Sequence, residues 1–192
     1  NDGRAPLHEA ILGFHREVFE LLIRRGANID AMTNDGRTPL HIGIYISNKE
    51  VCRMLIGMGA DVKALDDNRT APLMIASENG HKEVCEFLLE KGAYIGVRNK
   101  DGWTPLHVAS QQGHKEVCEL FIRRGVNVGA KDSRERTSLH RASEKGHKEV
   151  CNLLIRRGAS INAADKDGAT PLWIASENGH KEVCELLLDR GA

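Results

Sequence analysis

The sequence has no excess charge of either sign, because its 27 lysines and arginines balance its 27 aspartates and glutamates. Without a positive field, electrostatics offer no basis for binding a nucleic acid or an anionic membrane surface. The chain is also too polar for a membrane span, yet its 41% hydrophobic content over 192 residues excludes a disordered chain. We therefore expect a soluble, folded protein whose partner is not revealed by its charge.

Cysteine, proline and histidine are scarce, and all three recur with a period of 33 residues. The five cysteines stand one period apart, at Cys52, Cys85, Cys118, Cys151 and Cys184. The five prolines share one register of that period, with Ser138 in its gap, and the nine histidines fall into two registers. Just under six periods fit in 192 residues, so the chain is an array of tandem repeats.

Each repeat predicts a tight turn followed by two helices, as the fourth copy illustrates. Asp101 and Gly102 favour the turn, and Thr104 and Pro105 favour the start of the first helix. The second helix is expected over residues 114–124, with an acidic first turn and a glycine after its terminal arginines. One helix pair cannot bury both apolar faces alone, so the copies should stack side by side into a solenoid.

These motifs resemble the signature of the ankyrin repeat family. Thr-Pro-Leu-His stands at residues 38–41 and 104–107, with variants at 5–8, 71–74, 137–140 and 170–173. Gly-His pairs and Gly-Ala endings recur in the same phase. The resemblance covers residues 1–192 and implies an all-α repeat, an ankyrin-type solenoid of helix-turn-helix units with projecting β-hairpin loops. The resemblance predicts a single domain whose repeats lie at approximately 1–33, 34–66, 67–99, 100–132, 133–165 and 166–192.

The same resemblance implies a non-catalytic scaffold that binds another protein or peptide on the concave surface of its hairpin tips and first helices. It is specific for the fold and does not identify the partner. Two alternatives remain open: a targeting or regulatory module of a larger enzyme or channel, and a consensus-like engineered repeat protein. No cofactor, nucleic acid or membrane insertion is expected.

The cysteines are interpreted as small buried hydrophobic residues. Neighbouring repeats should lie about 8 to 10 Å apart, whereas a disulfide needs Cα atoms within about 7 Å. His81 and Cys85 are four residues apart on one helix, but the next such pair is too distant to complete a tetrahedral zinc site. Five free thiols fit a reducing compartment, so we expect a cytoplasmic or nuclear protein.

Both histidine registers are structural according to the family resemblance, hydrogen-bonding helix starts and the hairpins between copies. The sequence shows no converging nucleophile, base and orienting group, and no phosphate-binding glycine loop. Catalytic and metal-binding residues are therefore not expected. The paired arginines at 24–25, 123–124 and 156–157 are interpreted as partners of the helix dipoles.

Exposed positions that vary between copies are the candidates for partner binding. They are Met32, Arg37, Tyr45, Ile46, Leu65, Arg98, Lys100, Trp103, Gln111, Gln112, Arg134, Arg136 and Arg141. Trp103 is the leading candidate, because large amphipathic rings dominate interface energetics. The alternative is that its ring packs against the neighbouring hairpin.

Two copies depart most from the repeat pattern. In the second, Ser47 and Asn48 replace a helix-ending glycine and a histidine, so lower local stability is expected. Its apolar residues 44–46 are interpreted either as a contact patch or as sequence drift. In the fifth, residues 134–136 and Arg141 predict, with Arg98 and Lys100, a positive stripe for an acidic partner segment, or else scattered solvated charge.

The terminal helices keep core-like faces, such as Leu21 and Leu22 at one end and Leu186 and Leu187 at the other. Solenoid ends normally carry a polar capping face. The chain is therefore expected to be a fragment of a longer array, or to associate end to end with itself.

Overall fold

The computed structural model describes residues 2–192, and over that span it contains twelve α-helices. The first helices of the repeats are α1 (Pro6–Leu12), α3 (Pro39–Tyr45), α5 (Pro72–Glu78), α7 (Pro105–Gln111), α9 (Ser138–Glu144) and α11 (Pro171–Glu177). The second helices are α2 (Arg16–Arg24), α4 (Lys49–Gly57), α6 (Lys82–Glu90), α8 (Lys115–Arg123), α10 (Lys148–Arg156) and α12 (Lys181–Asp189). The predicted all-α repeat fold is confirmed. Asn1, which the first predicted repeat includes, lies outside the described residues.

The connections that precede the first helices are turns, and residues 2–192 contain no strand. Successive turns are nevertheless joined by backbone hydrogen bonds. Asp67 donates from its amide to the carbonyl of Asp35 at 3.0 Å, and Ser133 donates to that of Asp101 at 2.9 Å. The projecting loops therefore lie side by side as linked turns rather than as β-ladders.

Each first helix starts where an extended residue precedes a proline or its substitute. Thr104, with φ −100° and ψ 166°, precedes Pro105 at the first helical position. Proline suits this position because its fixed φ is helical and its missing N–H has no intrahelical partner to lose. In the fifth copy Ser138 takes this place, and its Oγ is buried without a hydrogen-bond partner among residues 2–192.

The turn between the two helices of a repeat requires one residue with positive φ. Gly113 supplies it in the fourth copy, with φ 77°. Phe14 and Ser47 occupy the same register in the first two copies, with φ 56° and 62°. A side chain in this backbone region costs roughly 1 to 2 kcal/mol, which supports the expectation of lower local stability in the second copy.

The chain divides into two compact units, Asn1–Tyr94 (unit 1) and Ile95–Ala192 (unit 2). In unit 1, α3 packs between α1 and α5, and each first helix packs on the second helix of its own repeat. In unit 2, α9 packs between α7 and α11 in the same way. Leu40 and Leu73 in unit 1 and Leu106 and Leu139 in unit 2 are fully buried in these helix layers.

Four of the cysteines, Cys52, Cys85, Cys118 and Cys151, are buried in the second helices, while Cys184 is half-buried. All five are free thiols in the described chain. Burial raises the pKa of each of the four buried thiols to about 12, because a thiolate is poorly solvated there. Their interpretation as small buried hydrophobic residues is confirmed.

Candidate functional site

In four of the six copies, the first histidine register links the first helix to the turn of the next repeat, while Met74 and Trp173 occupy this register in the other two. The Nδ1 of His107 accepts from the backbone amide of Thr104 at 3.2 Å, and its Nε2 lies 3.0 Å from the carbonyl oxygen of Arg136. Since Nδ1 accepts from an amide, the proton of the neutral ring is on Nε2, which donates to that carbonyl. His8, His41 and His140 bridge in the same way to the carbonyls of Arg37, Thr70 and Ala169.

These bridging histidines are neutral. Burial lowers the pKa of His107 to about 4, against the opposing effect of the Arg136 carbonyl. Burial also lowers the pKa of His8, His41 and His140. A protonated ring could not accept at Nδ1, so each bridge requires the neutral form.

In the second histidine register, His81, His147 and His180 link their second helices back to the preceding repeat. His147 donates from Nε2 to the carbonyl of Gln111, and His180 to that of Glu144, both at 2.9 Å. The ring of His147 packs so closely on Gly113 that an added Cβ would lie 2.6 Å from it. In the second copy, Asn48 instead accepts from the amide of Val51 at 3.1 Å and caps its own helix. The structural role expected for the histidines is confirmed at His8, His41, His107, His140, His147 and His180.

A comparison with models of protein families agrees with this repeat geometry. The family model described as ankyrin repeats (3 copies) matches residues 1–66, 58–132 and 121–192. The chain belongs to the ankyrin repeat family. Ankyrin repeats are generally protein-protein interaction modules and are typically non-catalytic. A comparison with curated proteins found no match.

The candidate residues of unit 1 lie in its turns and along or just after the first helix α3, and they are partly apolar. Met32 and Tyr45 are 58% and 63% exposed. Arg37, Ile46 and Leu65 are half-buried. The sequence candidates of unit 1 are therefore all accessible.

A cavity of about 350 Å³ lies among the turns and α3 in unit 1. Its walls are Asp2, Arg4, Thr33, Asn34, Asp35, Arg37 and Ile42. Arg4 contacts Asp2 at 3.0 Å, and Arg37 contacts Asp35 at 3.2 Å. The Thr33 hydroxyl donates to Asp35 at 2.5 Å, and this bond lowers the pKa of the Asp35 carboxyl.

The unit 2 candidates divide into exposed and covered residues. Arg98, Lys100, Gln112 and Arg134 are exposed, whereas Trp103, Gln111 and Arg136 are half-buried. The Arg98 guanidinium donates to the carbonyls of Gly102 and Lys131, at 3.1 and 2.7 Å. Arg136 donates to the buried carboxylate of Asp165 at 2.8 Å.

Arg141 is buried, with 7% of its surface exposed, so its expected place in an exposed positive stripe is wrong. Its guanidinium donates to Asp132, and to Glu144 at 3.3 Å. It also lies 4.1 Å from the ring centroid of Trp103. The arginine enters the interior because a buried carboxylate and an aromatic face receive it.

Trp103 is covered on one face by this guanidinium, which belongs to the next repeat. This is packing against the neighbouring copy, but the contact is with α9 and not with the hairpin that the alternative interpretation named. A role for Trp103 in partner binding stays a prediction.

Several exposed aromatic residues were not among the sequence candidates. Trp173 is 54% exposed, and Phe14 and Tyr94 are also exposed. Trp173 stands in the register of the bridging histidines, and Phe14 in that of Gly113, so departure from the repeat pattern was the available signal. A larger cavity of about 540 Å³, lined in part by Phe14 and Asn48, follows from the same departures.

Within residues 2–192, the structure shows no group of three or more histidine, cysteine or acidic side chains arranged to hold a metal ion. Among the described helices, none is sufficiently long and apolar to cross a membrane.

Proposed function

We propose that this ankyrin domain is a non-catalytic scaffold that binds another protein or peptide through the turns and first helices of its units. One observation supports this most. Most positions that link repeats hold histidine, with Met74, Trp173 and Asn48 as the exceptions. In contrast, one accessible register changes from Met32 through Leu65 and Arg98 to Lys131. Such variation in size and charge at an accessible register suits recognition of a particular partner.

The proposal that the domain lacks catalysis is supported by the state of its reactive groups. His107 and His140 use both ring nitrogens in hydrogen bonds, with Nδ1 accepting from an amide of the same repeat and Nε2 donating to a carbonyl of the next. Four thiols are buried with pKa values raised to about 12, far above the range in which a thiolate forms readily. These groups serve packing rather than chemistry.

The proposed contact residues are those that the structure leaves accessible. In unit 1 they are Met32, Arg37, Tyr45, Ile46 and Leu65, and in unit 2 they are Arg98, Lys100, Gln111, Gln112 and Arg134. Trp103 and Arg136 contribute their exposed edges. Arg141 supports the site from inside.

We also propose a reducing, cytoplasmic or nuclear setting for the scaffold. Five unpaired thiols in one chain support this, because free cysteines persist in such compartments.

Site-specific photocrosslinking in cells tests the proposed surface. A benzophenone amino acid would replace Tyr45 or Arg134 on the proposed surface, or Arg53, an exposed residue of α4, as the matched control. We expect a discrete crosslinked protein at the first two positions and not at the third. Crosslinking at Arg53 alone would show that the partner binds the second helices, contrary to the proposal.

A further inference from the structure

The first repeat exposes an apolar face that its counterparts bury. Val18 on α2 is 47% exposed, whereas valine in the same register is no more than 7% exposed in each of the other five copies. Leu21, about one turn further along α2, is also exposed, and so is Pro6 at the start of α1. The residues in the register of Pro6 are buried in every later copy. These three residues are called the N-face.

The sixth repeat exposes a different face. Trp173 on α11 is 54% exposed, whereas the residues in its register, four histidines and Met74, are at most 2% exposed. Ser176 is exposed, although the three other serines in its register are fully buried. Leu188 on α12 is also exposed, and the residues in its register are buried or half-buried in the other copies. Trp173, Ser176 and Leu188 are called the C-face.

Within each unit, these same registers are covered by the neighbouring repeat. The first helices α1, α3 and α5 pack in succession in unit 1, and the second helices α8, α10 and α12 do so in unit 2. His107, in the register of Trp173, reaches forward to the carbonyl of Arg136 in the next repeat. What covers each register is therefore a repeat of the same sequence pattern. A second copy of the chain carries both faces.

The C-face carries a hydrogen-bond donor where the bridging histidines have theirs. Each bridging histidine lies within hydrogen-bond distance of a carbonyl in the register of Arg4, and its Nε2 donates there. Trp173 holds the histidine register in the sixth repeat, and its indole N–H can only donate. Continuing the pattern pairs the indole of Trp173 with the carbonyl of Arg4 in a second copy.

Charged side chains match across the same two faces. Lys49 contacts Glu83 of the next repeat at 2.9 Å, and the equivalent pair one repeat earlier makes the same contact. Lys181 stands in the register of these cations, and Glu17 stands in that of these carboxylates. Both side chains are exposed. Continuing the pattern pairs Lys181 of one copy with Glu17 of a second.

We infer that copies of this chain associate head to tail, with the C-face of one copy packed on the N-face of another. The interface continues the packing that joins repeats within each unit, and Trp173 and Lys181 of one copy face Arg4 and Glu17 of the other. Because the two faces differ, each added copy leaves one face of each kind free, so association does not stop at a dimer. None of the proposed contact residues belongs to either face, so this inference goes beyond the proposed function.

Sedimentation velocity of the whole chain tests the inference. We expect the weight-average sedimentation coefficient to rise with protein concentration beyond the value of a dimer. Val18→Glu and Trp173→Glu should each keep the chain monomeric, because either would bury an unpaired carboxylate in the interface. Tyr94→Glu changes an exposed side chain outside both faces and should associate as the unmodified chain does. An unmodified chain that stays monomeric at every concentration would overturn the inference.

A mixture of the two single variants distinguishes head-to-tail association from other kinds. Val18→Glu keeps an intact C-face and Trp173→Glu keeps an intact N-face, so together they should form a dimer and nothing larger. Association through like faces, or through apolar side chains in general, does not give this result. A mixture that remains monomeric, or that forms larger species, would refute the inference, provided that circular dichroism shows both variants to be helical.

A charge exchange provides a test at exposed side chains, where folding is not at risk. Lys181→Glu places two carboxylates opposite each other and should weaken association on the order of fivefold. Adding Glu17→Lys to the same chain restores an ion pair with its charges reversed and should recover the affinity. Equal weakening in the single and the double variant would contradict the inferred pairing of the two faces.

Discussion

Residues 2–42 of unit 1 and residues 101–141 of unit 2 have the same repeat architecture, with different side chains inside it. In unit 2 Arg141 reaches inward to a carboxylate and a tryptophan, whereas in unit 1 Ile42 leaves a cavity bordered by ion pairs. The helices and turns that carry these residues are otherwise alike. Ile42 and Arg141 are both buried, so the comparison shows that one interior register of the repeat can hold either an apolar side chain or a guanidinium, depending on its neighbours.

Replacing Arg141 in unit 2 should have the largest effect on stability. Arg141→Ile is expected to lower the free energy of unfolding by about 3 to 5 kcal/mol, because Asp132 would remain buried without its guanidinium. Urea denaturation followed by circular dichroism measures this change. As a control, Arg134→Ile at an exposed position should change stability by no more than about 0.5 kcal/mol.

The double variant Arg141→Ile with Asp132→Thr reproduces in unit 2 the residues that unit 1 has at Ile42 and Thr33. It should recover more than half of the lost stability, since no carboxylate would then be left unpaired. Equal destabilisation of the single and double variants would show that the arginine contributes mainly by filling space.

Acid should weaken the histidine bridges between repeats, which both units contain. The pKa of His107 is lowered to about 4 in the folded protein, so on acidification the unfolded chain, with a pKa near 6.5, takes up the proton first. The bridge contributes fully above pH 6.5, and its contribution falls as the pH drops, by about 3 kcal/mol at pH 4.

Urea denaturation at pH 7.5 and pH 4 measures this loss. In His107→Gln the difference between the two pH values should be smaller than in the unmodified chain. His41 has its pKa lowered by the same cause in unit 1, so His41→Gln should reduce the pH dependence as well. An unchanged pH dependence in both variants would contradict the assignment.

The two tryptophans allow a packed ring to be compared with an exposed one. Trp103→Ala should lower the free energy of unfolding by about 1 to 2 kcal/mol through loss of the contact with Arg141. Trp173→Ala, at an exposed ring, should change it by less than about 0.5 kcal/mol. Urea denaturation measures both changes. If Trp103→Ala changes the free energy of unfolding as little as Trp173→Ala does, Trp103 would instead be interpreted as a binding residue.

The smallest expected effect is an increase in stability. Ser138→Pro gives the fifth copy the residue found at this position in the other five, and Thr137 before it already has the extended backbone that proline requires. It also removes a buried hydroxyl without a partner in the described chain. We expect about 0.5 to 1 kcal/mol of stabilisation, seen as a higher Tm. Ser138→Ala removes the hydroxyl without restricting the chain and should give only part of the gain.

The fold was predictable from the sequence because its determinants are local and periodic. Pro105 sets a helix start, Gly113 a positive φ and His107 a bridge to the next turn, and each recurs at the same spacing with few exceptions. A pattern repeated in phase along the whole chain predicts one type of repeat throughout.

The candidate site was predictable only in part, because exposure depends on neighbours that the repeat register does not specify. Arg141 is expected at the surface from its charge, yet its position is decided by Asp132, nine residues earlier, and by Trp103 in the preceding repeat. The unit 1 cavity likewise arises from the combined volumes of seven side chains. Tyr45 was identified because it is an aromatic residue at a register where other copies carry polar residues such as Gln111.

The bridges between turns also determine how the domain would respond to mechanical load. Each bridge, such as that from His41 to Thr70, joins neighbouring repeats within a unit, so the junctions are loaded in series and we expect them to rupture one at a time. A single repeat that detaches would release roughly 110 Å of extended chain. Stretching with optical tweezers should therefore give a series of small, evenly spaced rips.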